Sequence, residues 1–169
     1  MKSFYKFNVM TIDEFKAWLY TKEITRPVRS IHNYHTIMPH YARFSGNNHL
    51  QILREVEVNQ TFENGYDEIA QHITVFPDSK IAICRDINKI PGGFNGSMQF
   101  SIRVEYIMNP VNGDCPITDN LVDYNIWLNA LLCMKLNINP SAFIITNHAP
   151  AELVSGINIP TLNTALAFT

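Results

Sequence analysis

Apolar residues recur along the chain with periods that switch between helix and strand, and the switches mark out elements in turn. Thr11, Ile12, Asp13 and Glu14 form a capping box, in which a Thr hydroxyl and a Glu carboxylate three residues on satisfy free amides at a helix start. Phe15, Trp18 and Leu19 follow at helical spacing, so a short helix to about Tyr20 is predicted. Pro27 separates it from Val28–Thr36, which reads as a strand. A second helix is predicted to begin near Asn47 or Asn48, with Leu50, Leu53 and Val56 on one face. Ile69–Phe76 and Lys80–Arg85 are β-rich runs on either side of Pro77-Asp78-Ser79, the composition of a turn between antiparallel strands.

The stretch from Ile87 to Ser97 holds Pro91, Gly92, Gly93 and Gly96 and reads as a loop. Met98–Met108 alternates as a long strand does. Thr118 is placed to cap the longest helix, whose buried stripe is Leu121, Val122, Ile126, Leu128, Leu131, Leu132 and Leu136. Pro140 ends that region, and Ala142–Thr146 reads as a last short strand. Strands alternating with helices, with one hairpin among them, predict an α/β fold: a mixed central sheet flanked by helices. No internal repeat or low-complexity linker breaks the pattern. The 169 residues suit a single domain that buries a core without staples.

Composition narrows the function classes. With 46% apolar and 17% charged residues the chain folds. A net charge of -2 and the absence of any Lys/Arg block argue against a nucleic-acid partner. Cys84, Cys115 and Cys133 are too few and too scattered for a disulfide framework. Cys84 and Cys133 sit in apolar runs and read as core, so a reducing, cytoplasmic location is expected. The opening MKSFYKFNVMTIDEF interrupts its apolar residues with Lys, Asn and Asp and does not read as a signal peptide. No run approaches the ~18 apolar residues of a membrane span, and no membrane partner is expected.

The segment from His35 and Thr36 through Pro39, Tyr41, Phe44, Gly46 and Asn48 to His49 resembles a signature of clostridial and phage N-acetylmuramoyl-L-alanine amidases. Those zinc enzymes cut peptidoglycan. They carry His-His-Thr at the end of the first core strand, then a Pro, an aromatic and Phe-x-Gly-x-Asn-His leading into a helix. Asp67 to His72, Phe76-Pro77-Asp78 and Cys84-Arg85 resemble the same family's central hairpin. Pro91, Gly93, Gly96 and Glu105 keep its loop-to-strand spacing, and Asn109, Gly113, Asp114 and Thr118 continue in register. The resemblance covers residues 4–148 in spaced blocks and implies a single-domain fold of the amidase and peptidoglycan-recognition-protein kind. Residues 153–169 then form a divergent apolar tail.

The resemblance also implies a metal site, and here the sequence departs from it. Such an enzyme uses Zn²⁺ to activate a water and polarise the scissile carbonyl, held by three protein ligands with one position open. The first ligand position falls on Tyr34 and the second on Asn147. The third lies later in the family, where this chain offers no Cys, His or Asp and only the carboxylate of Glu152. His32 shares the strand face of Tyr34 but is displaced by roughly 6–7 Å. His35 and His148 are expected to point to the opposite face. No metal and no cofactor are therefore expected, with a shifted site on His32 and Glu152 as the alternative. His35, His49, His72 and His148 read as ordinary hydrogen-bonded scaffold residues.

Glu105 matches, by resemblance, a glutamate that assists the attacking water as general base. It is catalytic only if the chain is active, and otherwise an inward carboxylate, hydrogen-bonded or paired with Arg103 or Lys80. Gln71 stands where some relatives place a catalytic tyrosine. The expected function is thus a non-catalytic amidase homologue. Its cleft, floored by His32, Tyr34, Gln71, Glu105 and Asn147, binds a muropeptide or another small molecule, such as a nucleotide signal sequestered by a phage protein. The alternatives are an active amidase with an unusual metal site and an interaction protein whose cleft is idle. From Leu153 onward the chain carries no charge. That tail is expected either to fold back or to join two copies as a homodimer.

Overall fold

The computed structural model of the chain describes residues 7–35, 43–93, 95–107, 119–139 and 144–147, with residues 35, 119–122 and 144–147 by their backbone. In chain order these give β1 (Asn8–Met10), α1 (Ile12–Thr21), β2 (Ser30–His35), α2 (His49–Phe62), β3 (Ile73–Val75), β4 (Ile81–Ile83), β5 (Ser101–Tyr106), α3 (Asp119–Leu136) and β6 (Ile144–Asn147). The strands form one six-stranded sheet in the order β1-β4-β3-β5-β2-β6. β4 runs antiparallel to both its neighbours. β3, β5, β2 and β6 are mutually parallel. The mixed sheet flanked by helices is the α/β architecture that the alternation of periods predicts.

Local chemistry sets the boundaries. At α1 the Glu14 amide donates to Thr11 Oγ1 and the Thr11 amide donates to Glu14 Oε2, so both halves of the capping box are made. Lys135 Nζ donates to the Tyr20 carbonyl near the far end of the helix, a favourable place for a cation. At the start of α2 the Asn48 side chain braces the preceding turn, donating to the Arg43 carbonyl and accepting from the Ser45 amide. The β3–β4 hairpin closes through Phe76 N–H to Lys80 O and Ser79 N–H to Phe76 O, with Ser79 in the left-handed region at φ 66°.

Strand alternation sends successive side chains to opposite faces. On one face Ile31, Ile73, Val75, Ile81, Ile102, Val104 and Tyr106 pack with Phe15 and Leu19 of α1 and Leu128, Leu131 and Leu132 of α3. On the other, Ile52, Leu53 and Val56 of α2 pack with Phe7, Ile69, Phe76, Ala82, Cys84 and Ile107. That second cluster takes nothing from β2. The stretch of the same face built by β2 and β5 is polar instead, and this asymmetry positions the candidate site.

Several expectations shift. Met98–Phe100 do not extend the strand but lie in a 3-10 turn, Gly96–Phe100, which opens at Gly96 with φ 57°. β3 begins only at Ile73, because the Ala70 amide donates to the Gln60 side chain and the Ala70 carbonyl accepts from Gly92 rather than from a strand. β1, three residues long, has no periodicity of its own and exists through its pairing with β4. In α3, Ile126, Leu128, Leu131 and Leu132 are buried and Leu136 partly so. The Thr118 cap lies outside the described residues, as do Cys115, His148, Glu152 and residues 153–169, and so do the side chains of Leu121 and Val122. No helix among the described residues is long and apolar enough to cross a membrane.

The same stripe of α3 carries two polar residues that periodicity does not flag. Asn125 and Asn129 are buried against Asn33 of β2 and Tyr106 of β5. Asn33 Nδ2 donates to Asn129 Oδ1 at 3.0 Å, and the Tyr106 hydroxyl donates to Asn33 Oδ1 at 3.1 Å and also to Asn125 Oδ1. Asn129 Nδ2 donates to the Asn125 carbonyl at 2.9 Å. A polar network of this kind fixes how α3 sits on the sheet, since each member left unpaired would carry a desolvation penalty.

Candidate functional site

The register of three parallel strands builds a row. Tyr34 of β2 is the Cα partner of Glu105 on β5 and of Asn147 on β6, and Glu105 is in turn the partner of Thr74 on β3. One step back along the strands, His32 is the partner of Arg103. Period two therefore puts His32, Tyr34, Arg103 and Glu105 on the α2 face, beyond the apolar patch that α2 covers. His32 and Tyr34 stack with ring centroids 6.2 Å apart and planes at 20°. The Arg103 guanidinium lies over the Tyr34 ring at 4.8 Å from its centroid, a cation–π distance. Arg103 Nη2 is 3.6 Å from Glu105 Oε2, and the Glu105 side chain is 1% exposed. Lys80, the other cation considered for Glu105, faces Asp78 instead, at 3.8 Å.

Arg103 is itself held. Its Nη1 donates to the Gly92 carbonyl at 3.0 Å. This is one of four such bonds to a single loop. Arg26 Nε donates to Ile87 O, His72 Nε2 to Lys89 O, Arg85 Nε to Ile90 O and Arg103 to Gly92 O. Three buried or half-buried arginines and one imidazole thus clamp the carbonyls of residues 87–92 inward. Arg26 also donates to Gln99 O and Ser101 O, which ties the start of β5 to the same unit. Arg85 in turn forms a bidentate pair with Asp67 and lies 3.4 Å from Glu68. Gly92 must be glycine: a Cβ there would come within 2.8 Å of Ala70.

His72 is the hub of the clamp. Its Nδ1 accepts from the Arg103 amide at 3.0 Å, in line with the β3–β5 ladder. The proton therefore sits on Nε2, which donates to Lys89 O at 2.9 Å. The 3.4 Å approach of Arg26 Nη2 to that same nitrogen is then a contact between two donors and not a hydrogen bond. Burial pushes the His72 pKa down to about 3; the Lys89 carbonyl opposes this, and Arg26, Arg85 and Arg103 add to it. His32 is lowered too, first by burial and then by Arg103. Both rings are neutral at ordinary pH.

The remaining sequence candidates lie elsewhere. Gln71 is fully buried under α2, where its Oε1 accepts from Gln60 and its Nε2 donates to Thr74 Oγ1. His49 is buried between Phe44 and Phe76, with Nε2 2.8 Å from Asp78. Cys84 sits beside Thr74, and burial pushes its thiol up to about 12, which leaves it inert. The sequence reading missed Arg103 as a site residue; its alternation with Glu105 along a strand was the available signal. Among the described residues, no group of three or more His, Cys, Asp or Glu side chains is placed to hold a metal ion. A cavity of about 920 Å³ opens at the other end of the sheet, lined in part by Phe7, Met10, Glu14, His49 and Lys80, and it shares no residue with the row. Volume and convergent chemistry do not coincide, and the row carries the more specific arrangement.

The mixed sheet flanked by helices is the fold of the peptidoglycan-recognition-protein and amidase-like domains. Two structures of Drosophila PGRP-LB share it. A tyrosine-to-phenylalanine mutant in complex with tracheal cytotoxin matches with a TM-score of 0.58 and 19% sequence identity, over 74% of this chain and 72% of that one. The wild-type protein matches with a TM-score of 0.57 at the same identity and coverage. The sequence matches no family model and no curated protein. A likeness at this identity establishes the fold, while function resides in the site built on it.

Proposed function

We propose that this chain is a binding protein on the amidase scaffold, holding a muropeptide fragment in the cleft above the Tyr34–Glu105 row without metal-assisted hydrolysis. The observation that carries the reading is the pairing of Tyr34 with Asn147 and Glu105 in register, with Arg103 seated on the Tyr34 ring. Polar groups converging beside an aromatic surface are the usual furniture of a small-molecule site. An aromatic face, neutral imidazole and a guanidinium–carboxylate pair suit a ligand made of sugar hydroxyls, amides and scattered carboxylates. Tracheal cytotoxin, the ligand of the PGRP-LB complex, is a muropeptide of this chemical class.

A zinc ion does not fit these residues. Tyr34 and Asn147 offer a phenol and an amide where the amidase resemblance implies imidazoles, and both are poor zinc donors. The guanidinium is a second obstacle. A dication roughly 5 Å from it would be repelled by about 7 kcal/mol at an effective dielectric of ~20. Glu105, without a metal-bound water beside it, has no acidic proton to take.

The test is a binding titration of tracheal cytotoxin against the unmodified protein, Tyr34→Ala and Glu105→Ala, with circular dichroism on each. The reading expects saturable binding that weakens at least tenfold in both variants while they stay folded. Equal affinity in all three would remove the row from the site. One zinc per chain after dialysis, together with peptide release from peptidoglycan, would replace binding with catalysis.

A further inference from the structure

Positions 147, 34 and 105 stand side by side on β6, β2 and β5, with neighbouring strands about 4.8 Å apart. Side chains from three such neighbouring positions can converge on one metal ion, with each donor at about 2 Å. One of the three, Glu105, is already a competent donor. Its side chain is buried and faces Arg103 Nη2 at 3.6 Å. Among the described residues the guanidinium is supported by the Tyr34 ring at 4.8 Å, the Glu105 carboxylate, and the Gly92 carbonyl at 3.0 Å. The last is rigid, because Gly92 lies against Ala70 and its own amide donates to the Ala70 carbonyl.

We propose that the Arg103 guanidinium is the resident cation of this cleft, occupying the space between positions 34 and 105 that a divalent metal would need and thereby excluding one. The inference rests on the metal-free reading given above and adds its cause. Loss of two imidazoles alone leaves an empty coordination site; an arginine fixed across it fills the site with a charge that cannot be chelated away. Arginine stays protonated under all ordinary conditions. It can hydrogen-bond a ligand carbonyl or carboxylate oxygen, but it has no open coordination position in which a water could be activated. The chemistry assigned to the site is therefore recognition of an oxygen-bearing ligand group by a fixed cation.

The experiment compares two engineered chains by zinc titration in a calorimeter, with cobalt absorption as a check on coordination. The first carries Tyr34→His and Asn147→His with Arg103 kept. The second adds Arg103→Gln, which leaves Glu105 as a third ligand beside two imidazoles. The proposal expects the second to bind zinc at least tenfold more tightly than the first, and to lose that gain when Glu105→Gln is added. Equal affinity in the two chains, or no binding in either, overturns it. Thermal melts establish that each chain is folded, and Arg103→Met replaces the glutamine if that variant is not. A stoichiometric zinc in the unmodified protein would strike the proposed function and this proposal together, whereas the engineered pair can fail while the unmodified protein stays metal-free, so the two failures are distinguishable.

Discussion

Acid should unfold this protein through His72 more than through any surface carboxylate. The ring is completely buried, its Nδ1 accepts from the Arg103 amide and its Nε2–H donates to Lys89 O. Protonation would place two donors face to face at Nδ1 and add a charge near Arg26, Arg85 and Arg103, whose fields already lower its pKa. The folded value of about 3 lies well under the ordinary 6.5. Above pH 6.5 neither state binds the proton and nothing is lost. Below it the unfolded chain takes up a proton that the folded chain refuses, so stability falls by up to about 1.4 kcal/mol per pH unit until the pH nears 3. The loss amounts to about 2 kcal/mol at pH 5 and about 3 kcal/mol at pH 4. Urea midpoints for the native protein and His72→Gln at pH 7, 6, 5 and 4 measure this. Glutamine can accept from the Arg103 amide but does not titrate. The variant is expected to be less stable at pH 7 and to converge on the native protein as the pH falls. His32, whose pKa is lowered as well, contributes to both curves and cancels in the difference. A difference that does not change with pH would refute the role given to His72.

Three further perturbations probe the scaffold. Leu128→Ala removes a fully buried side chain between α3 and the sheet and should cost about 2–5 kcal/mol; an unchanged denaturant midpoint would mean that α3 is no core element. Gly92→Ala drives a methyl into Ala70 and should cost about 1–3 kcal/mol by overpacking, read as a lower melting temperature, whereas an unshifted melt would contradict the tight loop. Asn129→Ala leaves Asn33 and Asn125 short of partners and should cost about 1–3 kcal/mol, with near-zero loss showing that the network does not hold α3 in place.

What the sequence disclosed, and what it hid, follows from the range of each interaction. The Thr11 cap, the buried side of α2 and the hairpin around Pro77 depend on residues within a few positions of each other, and all are legible as spacing. β1 is not, because a three-residue strand is defined by its partner, 73 residues away in the case of Val9 and Ala82. The loop of residues 87–92 is plain in its Pro and Gly content. The side chains that clamp it are not, since the Arg26 bond to Ile87 O spans 61 residues and no periodicity links them. Gln71 was assigned to the cleft by analogy of position, and its burial under α2 comes from bonds to Gln60 and Thr74 that only the packing shows. Tyr34, Glu105 and Asn147 came together through family resemblance and not through pattern, and the register places them as neighbours. Arg103 enters the sequence reading only as one of two cations able to pair with an inward Glu105, because spacing shows the pair and not the ring beside it. The Tyr34 ring beneath it is what makes it part of the site.

The central claim is a cleft that binds without a metal. Calorimetric titration of tracheal cytotoxin into the protein, run with and without excess chelator, tests it most directly. The account predicts one saturable binding event with the same affinity in both runs. Binding that disappears with chelator and returns when zinc is added back would contradict it.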